Sequence, residues 1–156
     1  MGLYHLTLSI IAGLIIALGF FLPLDLYLSP RQGLGYYLGI IGALMMTLLF
    51  FYSVRKRIGL FHNFYSLRDW FEVHIFYGIF GPVFILYHCR YKLGATNSNI
   101  ALWSMLIVFA SGFVGRFLYK RIGWERPFKW WHYAHLPIVG LFVSAAIIHV
   151  IASFMY

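Results

Sequence analysis

The chain has 156 residues, of which 62% are hydrophobic and only 10% are charged, and its mean hydropathy is +0.81. Soluble domains carry about 25% charged residues, so this composition excludes an ordinary soluble protein and predicts an integral membrane protein. The formal net charge of +8 comes from short loops between apolar segments, where basic residues orient membrane proteins and contact anionic lipids. We therefore expect a lipid bilayer as the environment and no nucleic-acid partner.

Five apolar segments follow one another along the chain, each near the length of about 20 residues that a membrane-crossing helix needs. They cover residues 3–22, 34–54, 71–89, 100–119 and 134–154. The first lacks a basic leading region and a small-residue cleavage site, so we interpret it as a retained helix and not as a signal peptide. The predicted fold class is all-α, a polytopic bundle of five transmembrane helices that forms one membrane domain over residues 1–156.

Short connections separate these segments. Pro23 and Pro30 end the first one. The connection from the second to the third, RKRIGLFHNFYSLRD, interleaves charged and aromatic residues as interfacial segments do. Residues 97–99, Asn-Ser-Asn, are predicted to cap the fourth helix, and RIGWERPFKWW joins the fourth helix to the fifth.

The basic residues are divided unevenly between the two ends of the predicted bundle, nine at one end against three at the other. The positive-inside rule places the richer end in the cytoplasm. The N-terminus is then cytoplasmic and the C-terminus periplasmic, in what we expect to be a bacterial inner membrane. The nine are Arg55, Lys56, Arg57, Arg68, Arg116, Lys120, Arg121, Arg126 and Lys129, and the three are Arg31, Arg90 and Lys92.

Two of the predicted helices carry paired histidines. The third contains HIFYGIFGPVFILYH, from His74 to His88, and the fifth contains HLPIVGLFVSAAIIH, from His135 to His149. Fourteen residues make four turns at a repeat of about 3.5, so both rings of a pair lie near one face, roughly 21 Å apart along the axis. Because the two helices cross the membrane in the same direction, His74 is predicted to lie level with His135, and His88 with His149.

Facing histidines in an apolar bundle fit bis-imidazole ligation of haem iron. We therefore predict two non-covalent haem b groups, one bound by His74 and His135 near the inner leaflet and the other by His88 and His149 near the outer leaflet. The third and fifth helices then supply the haem-binding core. Ionisable groups inside a membrane are usually functional, but the alternative for any single histidine is a hydrogen bond between helices.

A flat macrocycle also needs positions without side chains, and Gly78, Gly81 and Gly140 lie between the paired histidines. The alternative for each glycine is close packing of helices. Haem propionates need cationic partners. Arg116 is the best candidate at the inner side and Arg90 is a candidate at the outer side, although the same charges also serve orientation. The other candidates are Arg31, Lys92, Arg68, Lys120 and Lys129.

The remaining histidines and the cysteine receive structural interpretations. His5, His62 and His132 are predicted to lie at the membrane interface, and His132 deserves comparison with His135 because it is one turn away. Cys89 is predicted to be a packed thiol and not a ligand. As the single cysteine, it excludes an internal disulfide, and the chain has no C-x-x-C-H motif for covalent haem attachment.

Paired His-x13-His helices, separated by one helix and with glycines between the ligands, resemble those of the dihaem membrane b-type cytochromes. The arrangement is most similar to the ferric-reductase-like transmembrane domain, which also occurs in NADPH oxidases. Cytochrome b of the quinol-oxidising complexes has a similar ligand geometry. The resemblance covers the third to fifth helices and implies a four-helix-like haem core with His74, His88, His135 and His149 as axial ligands.

The sequence departs from these families in two respects. No G-x-G-x-x-G follows a predicted strand and the chain ends soon after the fifth helix, so we expect no flavin or nicotinamide site. The proline–glutamate–tryptophan–tyrosine motif of quinol sites is also missing, which leaves a quinone possible but not required. The expected function is transmembrane electron transfer by an oxidoreductase subunit, and not by a stand-alone enzyme, together with a redox partner protein or the quinone pool.

Two other functions stay open. One is a proton or metal-ion transporter that uses the four histidines as a relay. Such relays usually include intramembrane acids, whereas the four acids here lie at or outside the ends of the predicted spans: Asp25, Asp69, Glu72 and Glu125. The other is a non-catalytic anchor subunit, which would explain the short loops but not the spacing of the histidines.

Overall fold

The computed structural model describes residues 2–58, 65–119 and 125–155. In these ranges the regular structure is helical and contains no strand, which confirms the all-helical class. The helices are α1 (Gly2–Phe21), α2 (Leu24–Tyr27), α3 (Gly33–Arg57), α4 (Leu67–His88), α5 (Thr96–Tyr119) and α6 (Glu125–Met155).

Four of these helices are long and apolar enough to cross a bilayer: α3, α4, α5 over Thr96–Arg116 and α6 over Arg126–Met155. Only 6% to 22% of their most apolar windows is buried inside the protein. Exposing that much apolar surface to water costs about 25 cal/mol per Å², so these helices belong in lipid and indicate an integral membrane protein. In α1 the apolar stretch Leu6–Phe21 is shorter, and a fifth span stays a prediction.

The helices group into two compact units, Met1–Lys92 and Leu93–Tyr156. In the first unit, α3 packs along α4, and α1 packs against α4 as well. In the second unit, α5 packs along α6. Each unit therefore contains one long helix pair, and α4 and α6 are the helices that carry the paired histidines.

Three helices begin four or more residues earlier than their hydropathy predicts. The helix α5 starts at Thr96 and not at residue 100, so residues 97–99, which the sequence predicts as a cap, lie inside it. The backbone N–H of Ser66 donates to the Asp69 carboxylate (2.9 Å), and the backbone N–H of Asp69 donates to Oγ of Ser66 (3.2 Å). This capping box satisfies the first amides of α4, so the helix starts at Leu67 and not at residue 71. The helix α6 starts at Glu125, not at residue 134, and Pro127 lies in its first turn, where a missing N–H removes no helical hydrogen bond.

Two tyrosines near the end of α4 attach α1 to it. The hydroxyl of Tyr87 donates to the carbonyl of Ile15 (2.7 Å), and that of Tyr91 donates to the carbonyl of Ile16 (3.1 Å). A Cβ at Gly19 would lie 2.5 Å from the Tyr91 ring, so the glycine allows this ring to lie on α1. The contacts hold α1 against the C-terminal half of α4, next to the helix end that carries His88.

Candidate functional site

The two histidines of α4 both bond to backbone oxygens of α3. Nδ1 of His74 is 3.3 Å from the carbonyl oxygen of Leu49, and Nδ1 of His88 is 2.9 Å from that of Gly35. A carbonyl oxygen can only accept, so in both rings Nδ1 carries the hydrogen and donates it. In the neutral ring the lone pair therefore lies on Nε2, the nitrogen with which such a histidine binds a metal.

The two histidines of α6 bond to serine hydroxyls of α5. Nδ1 of His135 is 2.5 Å from Oγ of Ser111, and Nδ1 of His149 is 3.1 Å from Oγ of Ser98. The Ser111 hydroxyl donates its one hydrogen to the carbonyl of Val108 (3.0 Å). It therefore accepts from His135, which again places the ring hydrogen on Nδ1 and the lone pair on Nε2.

The four predicted ligands thus share one environment. Each has its Nδ1 hydrogen-bonded to an oxygen of the preceding long helix in its own unit. Metal-ligating histidines almost always have such a contact on the nitrogen that does not bind the metal, because it sets the tautomer, orients the ring and raises its basicity. The contacts of His74, His88 and His135 therefore fit axial ligation of haem iron through Nε2, and Nδ1 of His149 has a contact of the same kind with the Ser98 hydroxyl.

A glycine of α3 makes room for the ring of His88, whereas α5 would admit a Cβ beside the ring of His135. A Cβ at Gly39 would lie 2.5 Å from Nδ1 of His88, and a Cβ at Gly112 would lie 3.9 Å from Cε1 of His135. Gly39 brings the ring close enough to the α3 backbone to reach the Gly35 carbonyl. The sequence gives no signal for Gly39, because its spacing within α3 does not distinguish it from the other glycines of that helix.

The three glycines predicted to lie beside the macrocycle have different surroundings. A Cβ at Gly140 would meet nothing within 4 Å, and one at Gly78 would meet only Cδ2 of Leu49, at 4.0 Å. A Cβ at Gly81 would lie 2.8 Å from Sδ of Met46 on α3. Gly78 and Gly140 therefore offer open positions, whereas the contact at Gly81 is the helix packing that the sequence leaves as the alternative.

Two of the cations that the sequence assigns to the outer side contact an acid. The guanidinium of Arg90 lies 2.9 Å from the Asp25 carboxylate, and the ammonium group of Lys92 bonds to the other carboxylate oxygen. The hydrogen bond from Lys92 and the charges of Lys92 and Arg90 hold the pKa of the Asp25 carboxyl below its ordinary value of 3.8. Arg90 and Lys92 both contact the Asp25 carboxylate, so any further anion that binds beside them shares these two cations with Asp25.

The other candidate cations are placed less specifically. Arg116 lies half-buried in the last turn of α5, which keeps it a candidate at the inner side. Arg31, Arg68 and Lys129 are exposed, and Lys120 lies outside the described residues.

Of the histidines and the cysteine to which the sequence assigns no ligand role, the structure describes the side chains of His132 and Cys89. His132 stacks on Phe128 with ring centroids 6.4 Å apart. His62 and the side chain of His5 lie outside the described part of the structure. Burial raises the pKa of the Cys89 thiol, which donates to the carbonyl of Leu86 (3.2 Å). Cys89 is therefore a protonated, hydrogen-bonded thiol at neutral pH and not a thiolate.

Within the described ranges, no three side chains of His, Cys, Asp or Glu come together as a metal site. Haem iron needs only two axial groups from the protein, so two histidines are sufficient for each predicted haem site. Each predicted pair takes one histidine from each unit, and the two pairings stay predictions. No family model, curated protein or solved structure matches this chain.

Proposed function

We propose that this protein is a small dihaem b-type cytochrome that transfers electrons across a membrane. In this proposal His74 and His135 bind the inner haem, and His88 and His149 bind the outer one. The observation that supports it best is the hydrogen bond between Nδ1 of each of the four histidines and an oxygen of the preceding long helix. In His74, His88 and His135 the contact places the hydrogen on Nδ1 and leaves the lone pair on Nε2 for coordination.

The residues of this chain have three tasks in the proposed function. The imidazoles provide axial nitrogens whose tautomer and plane are set by their hydrogen bonds, and haem iron supplies the one-electron redox chemistry when it is bound. Gly78 and Gly140 keep the helix surface open beside the paired histidines. Arg116 at the inner side and Arg90 at the outer side balance propionate charge, Arg90 jointly with its contact to Asp25.

The proposal includes a topology and a partner. In this proposal the helix α1 acts as a fifth span in the inner membrane of a bacterium. The N-terminus is cytoplasmic, as the uneven distribution of Lys and Arg favours. Electrons enter and leave through a redox partner protein or the quinone pool. The redox-active groups that we propose for this chain are the two haems.

The proposal is tested by a reduced-minus-oxidised visible spectrum of the purified full-length chain, with a pyridine haemochrome count. We expect two haems b per chain in the wild type and about one in His74→Ala and in His149→Ala, because each substitution removes one axial ligand. His132→Ala is the matched control. It removes a histidine of α6 that stacks on Phe128, and we expect it to keep both haems.

A colourless protein, or a haem count that is the same in His74→Ala, His149→Ala and the wild type, would contradict the proposal. A colourless protein would next be tested for proton or metal-ion transport in vesicles, because the histidine-relay hypothesis uses the same four side chains. A colourless protein that also transports neither would leave the anchor subunit.

A further inference from the structure

The ring of Trp131 packs against His135, the inner candidate ligand on α6. Their ring centroids are 4.9 Å apart and the planes differ by 26°, which makes this a stacked pair. The indole N–H of Trp131 donates to the backbone carbonyl of Ser111 on α5 (2.7 Å). The indole plane is therefore held by a hydrogen bond at one edge while its face lies on the imidazole.

Ser111 connects both partners of that stack. Its carbonyl accepts from Trp131, and its hydroxyl accepts from Nδ1 of His135 at 2.5 Å. The three residues form a closed set of contacts: a stack between the two rings and one hydrogen bond from each ring to the same serine. A turn of the imidazole about its Cβ–Cγ bond would break the hydrogen bond to Ser111 and the stack at once.

The neighbouring residues are arranged around this indole. A Cβ at Gly115 would overlap the six-membered ring of Trp131, so α5 admits the indole only because residue 115 is glycine. Phe128 stacks on Trp131 in turn, with centroids 5.3 Å apart and planes 28° apart. By contrast, the ring of Tyr52 beside His74 is tilted by 48° and does not lie flat on that imidazole.

We propose that Trp131 and Ser111 are positioning residues that fix the ring plane and tautomer of His135. The inference rests on the proposed function in one respect, namely that His135 is a haem ligand. The alternative is that Trp131 only anchors α6 at the membrane interface, a common role of tryptophan at that depth. An anchor would set the depth of the helix but not the plane of one imidazole.

The first test is electron paramagnetic resonance of the oxidised protein, because the g values of a bis-histidine haem follow the angle between its ligand planes. We expect Trp131→Leu and Ser111→Ala each to shift one of the two haem signals, and Trp131→Phe, which keeps a stacking ring, to shift it less. Losing an outer hydrogen-bond partner of a metal ligand costs about 10–100-fold in affinity. We therefore also expect the inner haem to dissociate more readily from Ser111→Ala, and Ser111→Thr, which keeps a hydroxyl, to restore it.

Two matched controls lie on α5. Ser104 is buried and donates its hydroxyl to carbonyls of its own helix, those of Ile100 and Ala101. Trp103 is 55% exposed. Ser104→Ala and Trp103→Leu should leave both signals where they are. If these controls shift the inner signal as much as Ser111→Ala and Trp131→Leu do, or if the latter two shift nothing, the positioning role is overturned.

The second test reads His135 without haem, by ¹⁵N NMR of histidine side chains in the haem-free protein. We expect His135 to show a single tautomer with the hydrogen on Nδ1, and Ser111→Ala to convert it into a mixture of both tautomers. A mixture already present in the wild type would overturn the positioning role. A chain that binds no haem but shows the expected NMR change would overturn the proposed function and keep the positioning role, so the two failures are distinguishable.

Discussion

At the scale of single residues, the contacts of the Nδ1 atoms of the histidines are the main support for the proposed ligand roles. His88 reaches the Gly35 carbonyl only because Gly39 leaves its ring space on α3. The position of the His88 ring therefore depends on the absence of a side chain at residue 39. On α5, Ser111 contacts two rings: its hydroxyl accepts from His135 and its carbonyl accepts from Trp131.

Gly39→Ala tests that dependence. Alanine in a helix interior is favoured over glycine by about 0.5–1 kcal/mol, but a Cβ 2.5 Å from Nδ1 of His88 must displace the ring. Overpacking of this kind costs about 1–3 kcal/mol, so we expect a net loss in the free energy of unfolding and a weaker outer haem. Denaturant unfolding in micelles and the haem count measure the two effects.

Gly13→Ala is the control for that substitution, because a Cβ at Gly13 would meet nothing within 4 Å. It should be neutral or slightly stabilising. A Gly39→Ala protein as stable as the control, with two haems, would show that the ring of His88 is not confined by α3.

At the scale of elements, the start of α4 positions the histidines that follow it. The Ser66–Asp69 capping box begins the helix at Leu67, two turns before His74. The signal Ser-x-x-Asp can be recognised in the sequence. Hydropathy alone passes over it because Arg68 and Asp69 lower the average of the first turn.

Ser66→Ala removes the hydroxyl that accepts from the backbone N–H of Asp69, and substitutions of this kind cost about 0.5–2 kcal/mol. We expect a lower free energy of unfolding and more rapid amide hydrogen exchange in the first turn of α4. Ser144→Ala is the control, since its hydroxyl donates only to the carbonyl of Gly140 within its own helix. Equal effects of the two substitutions would contradict a specific role of the cap.

Asp25 links α2 to the segment after α4 through Arg90 and Lys92. The pKa of this carboxyl is lower in the folded protein than its ordinary value of 3.8. The contact therefore contributes its full stability above that value and loses it as the pH falls through the lowered pKa. Because the carboxyl is exposed, we expect a small effect.

Asp25→Asn should flatten the acidic end of a plot of unfolding midpoint against pH and leave haem content unchanged at neutral pH. The comparison is Asp69→Asn, which lies in the capping box and should lower stability at neutral pH as well. An acidic limb that is identical in Asp25→Asn and the wild type would show that the contact contributes nothing measurable.

At the scale of the whole molecule, the sequence predicts the helices and the spacing of the histidines within them. It does not predict how one helix is aligned along its neighbour. Composition and run length predict the apolar helices, and a spacing of fourteen residues puts two rings on one face. The partners Leu49, Gly35, Ser111 and Ser98 depend on how one helix is set along another, which no local spacing encodes. The sequence predicts a connection where α6 begins, because the run RIGWERPFKWW is charged and aromatic. Within that run, however, Glu125, Arg126 and Pro127 suit a helix N-terminus.

The exposed apolar positions of α6 have a consequence for how this sequence can vary. Only 6% of its most apolar window is buried inside the protein, and Leu141, Ile147, Ile148 and Ile151 are all more than half exposed. Lipid tails demand that such positions be apolar but place no demand on their shape. These four positions can therefore drift among Leu, Ile, Val and Phe over evolutionary time, while Ala145, which is buried, and the two histidines are held in place by their contacts.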